Sequence, residues 1–234
     1  MSTGDVHHAA TAFSGAAAVY EQARPGYPAD ALAWLGERLH LGPGRRVLDL
    51  AAGTGKLTRG LVAHGGSVVA GVAQAIPLGT QTVDAVTVAA ALHWFATRRA
   101  VDEMYRVLRP GSSLAVVWNL RDVSDPLQVT IQGLMEPWRG DTPSRASGAW
   151  REVLEDARHG PCRFVPEAHF QSPWSQPTDV DGVVGRVASV SFVAAMDDAT
   201  RQGLLAQVRA AAEQQPAPLA LPYVTDIHCY RRAD

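Results

Sequence analysis

Apolar positions along the chain follow two rhythms. From Pro28 onward, Leu32, Leu35 and Leu39 recur at helical spacing until Gly42 stops the run, which predicts a helix there. Residues 45–50 (RRVLDL) then read as a short buried strand, and 67–72, 83–89 and 113–120 as three more. A small-residue turn separates the first strand from a helix over 56–63 that ends at Gly65-Gly66. Val101, Met104, Tyr105 and Leu108 fall at i, i+3, i+4 and i+7, marking a helix before Pro110-Gly111. The second half reads as helical over 128–157 and again over 199–212. Strands are predicted over 164–171 and 219–231.

Strands alternating with helices predict a doubly wound α/β fold with a mostly parallel sheet. The strands show unbroken apolar runs, as expected when both faces are covered. The reading is a single domain over 1–234. An N-terminal segment spans 1–27, a ligand-binding half 28–120, and a helical insertion with terminal strands 121–234. Residues 121–200 are the segment in which a variable pocket would be built.

Composition narrows the function classes. The 234 residues carry 21 basic and 23 acidic side chains, a net charge of −2, which offers no electrostatic footprint for a nucleic acid. No apolar run reaches the roughly 20 residues of a membrane span, so no membrane partner is expected. The first residues lack the basic and apolar stretches of a signal peptide. Two cysteines, Cys162 and Cys229, lie far apart, which excludes a disulfide scaffold and suits a reducing cytoplasm. His7-His8, His159, His169 and His228 have no ligand spacing, so no metal site is expected.

The sharpest local signal is Asp49-Leu50-Ala51-Ala52-Gly53-Thr54-Gly55-Lys56, a strand end, a small-residue turn and a helix start in that order. Such a turn lets a ligand approach bare backbone at the carboxyl edge of a parallel sheet. A P-loop would need Gly at 50 and Ser or Thr at 57, where the chain has Leu50 and Leu57. A dinucleotide fingerprint would need Gly at 58, where Thr58 stands, and an acid about 20 residues further on, where there is none. An acid followed by x-G-x-G-x-G fits, with Asp49, Ala51, Gly53 and Gly55.

That stretch resembles motif I of the class I S-adenosylmethionine-dependent methyltransferases, in their small-molecule, methyltransferase-type-11-like branch. Four further stretches are similar to the same family, in its order: Tyr20-x-x-x-Arg24-Pro25-x-Tyr27-Pro28, Ala75-Ile76-Pro77-Leu78 with Val83-Asp84-Ala85-Val86, Leu92-His93-Trp94-Phe95, and Leu108-Arg109-Pro110-Gly111. The resemblance implies a Rossmann-like methyltransferase fold and methyl transfer from S-adenosyl-L-methionine to a small organic acceptor. It implies that Asp49 holds the amino-acid end of the cofactor, and that Gly53 and Gly55 admit the adenosyl group. Arg24 would meet the methionine carboxylate and Tyr20 would close over it. His93 and Trp94 would line the side where cofactor and acceptor meet, with His93 the candidate general base. Against these stand plainer roles: a strand-end cap for Asp49, a surface patch for Tyr20 and Arg24, and a packed helix start for His93-Trp94. Trp118 either lines the acceptor pocket or packs in the core.

The chain departs from the family pattern twice. Ala51 replaces the first glycine, which is tolerable if the backbone there keeps a negative φ. More seriously, Gly55 and Asp84 are only 29 residues apart with no Asp or Glu between Lys56 and Asp84. The family's strand-two carboxylate, which grips the ribose, is missing, and so is one edge helix-strand unit. Residues 73–82 can span roughly 33 Å, enough to return along a strand of about 17 Å and step about 10 Å sideways. The sheet edge at 68–72 is then uncovered, which invites pairing into a homodimer. The alternative function is accordingly a non-catalytic relative with weakened cofactor binding, acting as a binding or oligomerisation module.

Overall fold

The computed structural model of the protein describes residues 21, 23–71, 76–156 and 164–233. Contacts divide the chain into two compact units. Among the described residues, those within 26–119, 143–172 and 225–234 form a sheet unit and those within 1–25, 120–142 and 173–224 a helical unit.

The sheet unit begins with α1 (Ala29–Arg38), whose Ala31 and Leu35 are buried together with Leu39 just beyond its end. β1 (Arg46–Leu50) is buried from its second residue onward, and α2 (Lys56–Ala63) buries Leu57 and Leu61. β2 (Ser67–Gly71) pairs parallel to β1, and β1 pairs parallel to β3 (Val83–Ala89). Thr97 caps α3 (Arg98–Val107) by accepting from the Ala100 N–H, and Ala100, Val101, Met104 and Val107 form its buried stripe. The helix stops one residue before the predicted Leu108. That residue is already extended, as the Pro110 ring two positions on forbids the helix from continuing, and it begins β4 (Leu108–Arg121).

The six strands among the described residues run in the order β2-β1-β3-β4-β6-β5, with β5 Phe164–Thr178 and β6 Leu219–Arg232. β3 and β4 are parallel. β6 reverses direction: Asp122 bonds Pro222, Asn119 meets Thr225, and Arg232 reaches Leu108. The fold is therefore the mixed, mostly parallel α/β sheet that the alternation predicts. One sheet face, carrying Val47, Ala85, Ala115, Val117, Ile227 and Cys229, packs on Leu35 and Leu39 of α1 and on Leu57 and Leu61 of α2.

β2 ends the sheet, and the described part of its link to β3, residues 76–82, contains neither helix nor strand. The Arg106 guanidinium holds this short connection by donating to the carbonyls of Leu78 at 2.7 Å and Ile76 at 3.0 Å. Glu103 pairs with Arg106 and accepts from the Ile76 N–H, so one turn of α3 replaces the packing a full helix would supply.

In the helical unit, α4 (Pro126–Met135), α6 (Val180–Ala188), α7 (Ser191–Ala194) and α8 (Asp198–Glu213) enclose a second core that includes Ile131, Met135, Val183, Val187, Val208 and Tyr223. Asp125, Asp179 and Asp197 accept from the N–H groups of Gln128, Gly182 and Thr200, fixing three helix starts. The long helix predicted over 128–157 is broken. Pro137 lies in a single 3-10 turn after α4, Gly140 and Gly148 take left-handed conformations, and helix resumes only as α5 (Ala149–Glu155).

Candidate functional site

β1 delivers Asp49 to the carboxyl edge of the sheet, and the chain then turns through three left-handed residues: Ala51 at φ 57°, Gly53 at 57° and Gly55 at 80°. Glycine adopts this conformation freely, whereas alanine is strained in it by roughly 1 kcal/mol. The expectation of a negative φ at Ala51 is thus corrected. The turn is tight enough to need a left-handed residue there, and the chain spends strain where glycine would relieve it. Gly55 then serves as the N-cap of α2 without a side-chain cap. A Cβ placed on Gly53 would meet nothing within 4 Å, so the turn borders open space.

Asp49 is fully buried. Its carboxylate accepts from the Thr58 hydroxyl at 2.5 Å and from the Thr87 hydroxyl at 3.0 Å. Burial raises the Asp49 pKa, and the two hydroxyls with the Thr58 N–H oppose that rise. Asp49 therefore ties the first turn of α2 to strands β1 and β3, and the glycine turn is held from beneath. Nothing in the sequence reading picked out Thr58 and Thr87. The available signal was a hydroxyl at the third helical position after an acidic strand end.

β3 is the neighbour of β1, with Asp49 opposite Thr87 and Leu50 opposite Val88. The segment leaving β3 consequently emerges beside the glycine turn. It passes through Ala90, left-handed at φ 52°, whose N–H is anchored on the Val117 carbonyl at 2.8 Å. A 3-10 turn, Leu92–Trp94, follows, with the half-buried His93 and Trp94 rings 5.1 Å apart. Fold topology thus brings the Ala51, Gly53 and Gly55 turn and the His93-Trp94 turn to adjacent strand ends.

Arg24 belongs to the helical unit. Its Nε donates to the Ser189 hydroxyl at 3.0 Å and its Nη2 to the Ser189 carbonyl at 2.7 Å. Tyr20 lies outside the described residues. Trp118 is buried, with its ring 4.5 Å from that of Trp150 and the Arg145 guanidinium above it.

One grouping was invisible in sequence spacing. His169 Nε2 and His228 Nε2 lie 2.7 and 3.1 Å from the two oxygens of the buried Asp226 carboxylate, their rings stacked 4.3 Å apart. Two imidazoles and a carboxylate are potential metal ligands. Here, however, Arg145 and Gln171 also bond Asp226, and rings only 12° from parallel cannot both aim a lone pair at one ion. The arrangement is that of a carboxylate-centred hydrogen-bond network. These donors hold Asp226 well below the usual carboxylate range although burial pushes the other way. The network beside Trp118 sits on the opposite sheet face from Cys229 and Ile227, by strand alternation.

Residues 63–116 match the family model described as a methyltransferase domain. The chain is 35% identical over 240 residues to an uncharacterized methyltransferase of Mycobacterium tuberculosis, covering 91% of this chain and 92% of that one. It is 30% identical over 220 residues to an uncharacterized methyltransferase-like protein of Schizosaccharomyces pombe, with 84% of each covered. A solved structure from Anaeromyxobacter dehalogenans, assigned as a type II methyltransferase, superposes with a TM-score of 0.56 at 22% identity, covering 90% of this chain and 97% of that one.

Proposed function

The chain belongs to the class I methyltransferase family, and from that membership we propose that it transfers a methyl group from S-adenosylmethionine to a small organic acceptor in the cytoplasm. The observation that carries this reading is the turn at Ala51, Gly53 and Gly55. Its left-handed backbone and the open space beside Gly53 fit an adenosyl group lying against bare peptide. The cofactor, when bound, supplies an activated methyl group, so the protein contributes orientation more than reactivity.

Each residue then has a limited task. Asp49 keeps the turn in place through Thr58 and Thr87, and acts on the cofactor's amino-acid end through that turn. His93 and Trp94 wall the adjacent strand end, and His93 is the candidate general base there. By the resemblance, Arg24 and Tyr20 are assigned to the methionine end of the cofactor.

A second reading, a non-catalytic relative, is favoured by one observation: the acid-free stretch between Lys56 and Asp84, with β2 leading directly to the short connection into β3. A charged hydrogen bond to a ribose hydroxyl contributes about 1.5–3 kcal/mol, so its loss weakens cofactor binding by roughly ten- to a hundredfold. Titration calorimetry with S-adenosylhomocysteine separates the two. A dissociation constant in the micromolar range supports the enzyme, and no detectable heat at high protein concentration overturns it in favour of the binding module.

A further inference from the structure

The two edges of the sheet are built differently. β5, at one edge, carries Pro166, Pro173 and Pro177 and the acid Glu167. Proline lacks an N–H to share and a charge resists burial, so both keep a foreign strand from adding to an edge. β2, at the other edge, reads Ser67-Val68-Val69-Ala70-Gly71, without a charge or a proline. It keeps continuous register with β1 over all five residues, so no bulge turns it away. Among the described residues no strand or turn bonds its outer N–H and C=O groups.

Apolar side chains flank this edge on both faces of the sheet. Val68 packs against the core that holds Leu57 and Leu61 of α2, while Val69 lies on the opposite face and is 42% exposed. On α2, Gly60 lies so close to Leu32 of α1 that a Cβ there would meet its methyl carbons at 2.6 and 2.9 Å. Val62 is two residues further on, about 200° round the helix. It therefore faces away from α1, on the outer flank of the helix that packs on β2, and is 53% exposed.

We propose that a second copy of this chain covers the edge, β2 of one copy pairing antiparallel with β2 of the other about a two-fold axis perpendicular to the sheet. A strand paired with itself in this sense satisfies both copies with one patch, and the assembly closes at two. The axis keeps both α2 helices on one face, antiparallel and side by side, with the two Val62 side chains between them. The Arg59 guanidinium donates to the Thr54 carbonyl at 2.8 Å and is drawn toward the start of its own helix, so like charges lie toward opposite ends of the helix pair. The contact is small. An edge of about 17 Å, two layers of about 10 Å deep, gives roughly 340 Å² per copy, below the roughly 800 Å² per partner of a standard stable interface. The dimer is therefore weak and reversible, with a dissociation constant in the micromolar range or above. It does not depend on the methyltransferase reading.

Sedimentation equilibrium of the full chain from about 1 to about 500 µM reads the association. Val69→Lys puts a charge on the edge strand and Val62→Glu brings like charges together at the axis. Val165→Lys, at an exposed valine of β5, is the control. All three positions are exposed, and urea midpoints check that each variant folds. The wild type is expected to show a monomer–dimer equilibrium and no larger species. Val69→Lys should weaken it at least about tenfold and Val62→Glu at least about threefold, with Val165→Lys within about twofold of wild type. Hydrogen exchange should show the β2 amides gaining protection with concentration in the wild type and not in Val69→Lys.

A wild type that stays monomeric at the highest concentration overturns the pairing. So do β2 amides equally protected at every concentration, which would mean that the chain covers its own edge. A dimer lost in Val165→Lys and kept in Val69→Lys moves the interface to β5, and open-ended oligomers exclude a closed two-fold; either overturns the proposal. Should Val69→Lys fail to fold, Val62→Glu and the wild-type exchange decide. Loss of the dimer in Val62→Glu together with concentration-dependent protection of β2 supports the pairing, and the absence of either overturns it.

Discussion

Asp49 and Thr58, nine residues apart, share a 2.5 Å hydrogen bond in which the threonine hydroxyl donates to a carboxylate that no solvent reaches. With Thr87 as second donor, one side chain joins a strand, its neighbour and the helix between. The glycine turn is therefore suspended from this carboxylate, and its shape depends on residues that touch no ligand.

Replacing Asp49 by Ala removes the acceptor for the buried Thr87 hydroxyl and the half-buried Thr58 hydroxyl and is expected to lower stability by about 2–3 kcal/mol. Asp49→Asn keeps one acceptor and costs less. Because burial raises the folded-state pKa of Asp49, its contribution to stability declines as pH rises from the unfolded value of 3.8 toward the raised one. Urea midpoints between pH 3 and 7 should show this decline in the wild type and not in Asp49→Asn.

Asp226 gives the opposite sign. The network of His228, His169 and Gln171 depresses its pKa, so its stabilisation is present above 3.8 and lost as pH falls below that value. Acid unfolding followed by near-ultraviolet circular dichroism should begin at higher pH in Asp226→Asn, and Asp226→Ala is expected to cost at least about 2 kcal/mol at pH 7. An unchanged acid limb in Asp226→Asn would show that the network does not stabilise the fold.

Ala51, at φ 57°, is strained. Ala51→Gly is expected to raise stability by up to about 1 kcal/mol, the relief of a left-handed alanine less the entropy glycine adds to the unfolded chain. Ala51→Val should lower it by about 1–2 kcal/mol, as branching at Cβ worsens the same clash. Both are read from denaturant midpoints, and a stabilising valine would contradict the turn geometry.

Arg106 holds the short connection between β2 and β3. Arg106→Ala should cost about 1–2 kcal/mol, its side chain being one-third exposed. The sharper readout is hydrogen exchange, in which the Gln81 and Thr82 amides, bonded to the Arg106 and Val107 carbonyls, should lose protection ahead of β3.

Burial pushes the Cys229 thiol up to about 12. A thiol reagent at pH 8 is expected to label it only at the rate of unfolding. Fast labelling in native conditions would mean that β6 opens locally.

Much of this architecture was legible in the chain itself. Periodicity placed β1, α2, β3 and α8 within a residue or two, because a strand buried on both faces and a helix with one apolar stripe leave distinct local patterns. The order of motifs identified the family, and the acid-free interval after Lys56 announced a sheet ending at β2. What local pattern could not supply was anything decided by pairing. Thr87 reaches Asp49, and His169 and His228 converge on Asp226, only because distant strands become neighbours; 57 residues separate His169 from its carboxylate. The left-handed Ala51 likewise follows from how the chain closes. Composition counts 21 basic and 23 acidic residues and implies balance; tertiary structure determines which charges find one another, since an ion pair depends on distance in space and a sequence records only distance along the chain.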